Sequence, residues 1–104
     1  MVIYEVNLEV EAQAAEAFAD WLAPHIEQML ALGTFTDAVW FDRHARDEGV
    51  EADGHVRWTV HYHAPSREDL DRYFTEHAAS MRGEGLERFA GMFNANRRVL
   101  ARRG

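Results

Sequence analysis

The chain of 104 residues suits one domain spanning residues 1–104, and 47% apolar with 28% charged residues is an ordinary globular composition. The absence of cysteine excludes disulfides, thiolate zinc sites, iron–sulfur ligation and a cysteine nucleophile. The net charge of −7 argues against nucleic acid as a partner, and no apolar run approaches the roughly 20 residues that cross a bilayer, so no membrane partner is expected.

All eleven basic residues are arginine. Charge is uneven along the chain: residues 1–54 carry twelve acids and two arginines, residues 55–104 six acids and nine arginines. Residues 2–10 alternate with period two, with Val2, Tyr4, Val6, Leu8 and Val10 on one face and Glu5, Asn7 and Glu9 on the other, the pattern of a half-buried strand. This pattern follows directly on the first residue, so no targeting segment is expected, and the cytosol is the expected compartment.

Helical spacing runs from about Glu11 to Leu32, where Ala15, Phe18, Leu22, His25, Ile26 and Met29 form one stripe. Pro24 lies opposite the stripe, and Gly33 is a natural stop. Phe35 to His44 reads as a second strand rich in aromatics, and the acidic run from Ala45 to Gly54 as a flexible loop. His55 to His63 alternates again, with Val56, Trp58, Val60 and Tyr62 inward and His55, Arg57, Thr59, His61 and His63 outward.

A second helix is predicted to start at the capping pair Ser66 and Asp69, with Leu70, Tyr73, Phe74, His77, Ala78 and Met81 on its apolar stripe. Gly83, Gly85 and Gly91 suggest an irregular return with a short helical turn at Leu86–Ala90. Phe93 to Ala101 closes the chain as an arginine-flanked strand suited to a sheet edge. The order β-α-β-β-α-β predicts an α+β, ferredoxin-like fold: an antiparallel four-stranded sheet of order 4-1-3-2 with two helices on one face.

An internal echo supports that prediction. Phe18-x-x-Trp21-Leu22-x-x-His25-Ile26-x-x-Met29 matches Leu70-x-x-Tyr73-Phe74-x-x-His77-Ala78-x-x-Met81 at an offset of 52, and the preceding strands match at the same offset. Each helix then carries a histidine near the middle of its apolar stripe. Either His25 and His77 are core histidines that donate to backbone carbonyls or water, or they are polar anchors of a pocket between helices and sheet. In the second case Trp21, Trp58, Tyr73 and Phe74 are candidate pocket walls. His61-x-His63, with Glu5 or Glu9 on a neighbouring strand, has the alternation of a zinc site, but a plain polar strand face accounts for it better; no metal or cofactor is expected. RNA-binding versions of this topology need stacking aromatics where Glu5, Asn7 and Glu9 stand, and acylphosphatase-like versions need a phosphate cradle where Val10-Glu11-Ala12-Gln13 has no glycine.

The opening Ile3-Tyr4-Glu5-Val6, the run from Trp21 through His25-Ile26 and Met29-Leu30 to Gly33 and Phe35-Thr36-Asp37, the segment from Asp69-Leu70 through Tyr73 and His77-Ala78 to Met81-Arg82, and Arg88-Phe89 with Arg97-Arg98-Val99-Leu100 follow one another in order. In these motifs the chain resembles, over nearly its whole length, the bacterial family known as domain of unknown function 4286. The resemblance implies a ferredoxin-like homodimer of the dimeric α/β-barrel type and no established activity, substrate or cofactor. Two functions are compatible with it. One is a non-catalytic module that binds a small metabolite or a protein partner. The other is a cofactor-independent, monooxygenase-like enzyme with His25 and His77 as acid–base groups; haem-degrading members of that class resemble the chain only loosely, through Asn7 and His77.

Overall fold

The computed structural model describes residues 1–104. The elements in chain order are β1 (Val2–Glu11), α1 (Ala15–Ala31), β2 (Asp37–Arg43), β3 (His55–Ala64), α2 (Arg67–Glu76), α3 (Ala78–Phe89) and β4 (Phe93–Ala101). Short 3-10 turns occupy Ala12–Ala14 and Ala45–Glu48, the second inside the segment expected to be a loop. All strand pairs are antiparallel in the order β2-β3-β1-β4, which from the opposite edge reads 4-1-3-2. The arginine-flanked β4 is an edge strand, and the molecule is a slab of 38 × 34 × 17 Å. No helix is long and apolar enough to cross a membrane.

The two-helix expectation is corrected: three helices form, because the second helical segment breaks at His77 and resumes at once as α3. His77 has φ −128° and ψ −29°, and serves as C-cap of α2 and N-cap of α3 together. The glycine-rich return is a helix of 12 residues instead of an irregular stretch with one turn. Its buried side, Ala78, Met81, Gly85 and Phe89, has helical spacing, and burying that side outweighs the roughly 1 kcal/mol that each glycine costs a helix. The start of α2 follows the predicted cap, with the Asp69 N–H donating to Ser66 Oγ at 3.2 Å.

The inward residues of β1 and β3 pair directly across the sheet, Tyr4 with Tyr62 and Leu8 with Trp58. They pack beneath Phe18, Leu22 and Met29 of α1 and Leu70 and Tyr73 of α2 in one apolar core. Tyr4, Phe35, Tyr62 and Tyr73 form a ring cluster with centroids 5.0–6.2 Å apart.

Candidate functional site

A cavity of about 50 Å³ lies between the helices and the sheet. Trp21, Leu22, His25 and Met29 of α1, Tyr73 of α2 and Met81 of α3 contribute to its walls, with Arg82 and Arg97 as its charged groups. The paired stripes of the repeat thus converge: Trp21 and Tyr73 share this space, as do Met29 and Met81.

His25 reaches the cavity because it lies on the buried side of α1; its side chain is 11% exposed. Its ring stacks on Trp21 at 4.4 Å with the planes 24° apart. Nδ1 is buried without a hydrogen-bond partner, since the nearest Glu84 oxygen is 3.6 Å away, too far for a bond. Burial lowers the pKa of His25 below its ordinary 6.5, and the charge of Glu84 opposes that shift only in part. His25 and Trp21 also border a groove of about 370 Å³ on the outer surface, together with Glu84, Glu87 and Arg88.

The remaining pocket candidates go elsewhere. His77 sits at the α2–α3 junction, does not line the cavity, and lies 3.8 Å from Glu76. Trp58 is a core residue that donates from Nε1 to Asp42 Oδ1 at 2.9 Å and packs edge-on against Trp40. Phe74 packs edge-on against Tyr4 at 5.4 Å, outside the cavity wall. The equivalence of the two histidines ends where the second helix breaks, since the turn at residue 77 carries the ring away from the stripe.

Two groups missed by the sequence reading are the cavity arginines. Arg82 Nη2 donates to the Tyr4 hydroxyl at 3.0 Å, while its Nε is buried without a partner. Arg97 pairs with Val6 across the β1–β4 ladder, which puts it on the helix side of the sheet. The signal was present in period two, because Arg97 shares the parity of Phe93, Ala95 and Val99, whereas Arg98 shares that of Asn94 and Asn96.

The other face of the sheet carries a polar network. Glu5 is only 4% exposed although it points away from the helices. It accepts from Arg98 Nε, from Asn7 Nδ2 at 2.9 Å and from His61 Nε2 at 2.8 Å, and Thr59 Oγ1 donates to Asn7 Oδ1 at 2.6 Å. Burial alone would raise the Glu5 pKa, but these donors and the Arg98 charge hold it down at about 2. Cross-strand register assembles the group, since β1 places Glu5 opposite both His61 and Arg98. Arg57 is also buried here and donates to Asp53 at 2.9 Å. No three His, Asp or Glu side chains are arranged to hold a metal ion, and His61 is engaged with Glu5 instead.

Among curated proteins, none matches the chain. Its structure is similar to that of the de novo designed protein Foldit4, with a TM-score of 0.66 and 14% identity over 98% of each chain. At that identity the likeness concerns fold alone. The family model described as Domain of unknown function (DUF4286) matches residues 1–102, and the chain therefore belongs to that family.

Proposed function

We propose that the protein is a non-catalytic binding module of ferredoxin-like design that works as a homodimer, with the open face of its sheet as the contact surface. The observation that carries this reading is the state of that face. The helices cover one side of the sheet, and the other exposes Val39 at 37% and Phe41 at 43% beside a centre already neutralised by the Glu5 network. Strands of seven to ten residues, about 4.8 Å apart, present roughly 20 × 30 Å, close to the roughly 800 Å² per partner of a standard interface once side-chain relief is counted. The face carries both signs, with Glu5, Glu9 and Glu11 on β1 and Arg57 and Arg98 on β3 and β4, so a two-fold-related copy can be self-complementary. Light scattering at micromolar concentration should give twice the chain mass of 12.0 kDa. A stable mass of one chain would overturn the proposal.

The cofactor-independent enzyme has one observation in its favour, the partnerless Nδ1 of His25 at a cavity wall. Its second acid–base group is lacking, because His77 does not reach that cavity. Binding therefore accounts for the geometry better than turnover does.

A further inference from the structure

The helix–sheet cavity is apolar over most of its wall, yet two guanidinium groups face it. Neither Arg82 nor Arg97 forms an ion pair, although Arg43, Arg57, Arg67, Arg72 and Arg98 all do. No aspartate or glutamate lines the space; Glu84 borders the outer groove instead. The nearby phenols do not supply a counter-charge, because burial raises the pKa values of Tyr62 and Tyr73 and keeps both neutral. On residues that line this cavity, the Arg82 Nε donor and the His25 ring nitrogen Nδ1 are buried without hydrogen-bond partners. A buried donor without an acceptor is unfavourable, and so is the missing counter-charge of Arg82, a half-buried cation at an apolar wall. A small anion placed there would relieve both.

We propose that this cavity binds a short-chain organic monocarboxylate, with the carboxylate held by Arg82 and Arg97 and the alkyl end packed against Phe18, Leu22 and Met29. A guanidinium fork matches the two oxygens of a carboxylate, which favours this headgroup over a spherical ion. The apolar wall suits an alkyl chain and leaves the outer oxygens of phosphate or sulfate without donors. Size sets the chain length. About 50 Å³ exceeds the roughly 10–15 Å³ needed for one water and falls well below the roughly 150 Å³ that admits benzene, so acids of two or three carbons fit, whereas butyrate, with as many heavy atoms as benzene, and aromatic acids do not. The stacked Trp21–His25 pair separates the cavity from the outer groove and is the natural entry point. The site lies on the opposite side of the sheet from the proposed dimer contact, so failure of either proposal leaves the other standing.

Titration with sodium propionate, followed by amide and indole NMR, tests the assignment. Saturable shifts are expected at the Trp21 indole N–H and the Gly85 amide, in the millimolar range suited to so small a ligand. n-Propanol, and sodium chloride or phosphate at matched ionic strength, should leave these signals nearly unchanged. Arg97→Gln replaces a solvent-exposed residue and should keep the fold while weakening propionate by about tenfold or more; Arg82→Gln should do the same. The proposal is overturned if propionate produces no saturable shift, if propanol or chloride produces the same one, or if both variants bind propionate like the parent.

Discussion

Glu5 holds three donors from three directions, so its ionised state is tied to the folded state. Its pKa falls from an ordinary 4.5 to about 2, so between those values the unfolded chain takes up a proton that the folded one refuses. Stability from this group is complete above pH 4.5 and is lost as the pH drops toward 2. His25 acts in a higher window. Its folded pKa lies below 6.5, so the unfolded chain protonates first and stability falls as the pH drops below 6.5. Thermal melts across pH should therefore show two acid limbs: Glu5→Gln should flatten the lower one, and His25→Phe, which keeps a ring on Trp21, the upper one. At neutral pH Glu5→Gln should cost about 1–3 kcal/mol, because an amide cannot accept from every donor. Unchanged limbs in both variants would refute these assignments. Period two put Glu5 on the correct face of the sheet, but its burial was not legible, since it depends on partners 56 and 93 positions away. His25 was easier to read, because its neighbours Trp21, Leu22 and Met29 lie within about a turn on the same helix.

At the scale of elements, the strands were legible because alternation is a strong local signal, and β4 runs from Phe93 to Ala101 as its pattern implies. The third helix was not, because Gly83 and Gly85 weaken the local propensity while the forces that fix it are tertiary. The two glycines differ in what they face. A Cβ at Gly83 would meet nothing within 4 Å, whereas one at Gly85 would come 3.0 Å from the Trp21 ring. Gly83→Ala should thus stabilise the protein by about 0.5–1 kcal/mol through lost freedom in the unfolded chain. Gly85→Ala makes the same gain but forces the Trp21 ring to move, so it should fall below Gly83→Ala by about 1 kcal/mol or more. Urea unfolding of the two variants compares them directly, and equal midpoints would mean that Trp21 has no close contact with α3.

At the scale of the whole molecule, a slab 17 Å thick has two layers and one sheet face without a covering layer. Period two made the polar composition of that face legible, but not that its centre is neutralised while Val39 and Phe41 remain exposed at its β2 side. The proposed association through this face would couple folding to concentration, because a contact made only by folded chains stabilises them by mass action. The melting temperature should therefore rise with protein concentration across the micromolar range. Phe41 is the residue to change: its ring stands against His61 at 5.2 Å, is 43% exposed, and makes no contact with the core on the helix side. Phe41→Glu would replace an exposed apolar ring of the proposed contact with a charge that association must strip of water, which opposes association. The variant should keep the far-ultraviolet circular dichroism of the parent, sediment as one chain, and melt at a temperature independent of concentration. A variant that remained dimeric, with the concentration dependence intact, would place the contact on another surface.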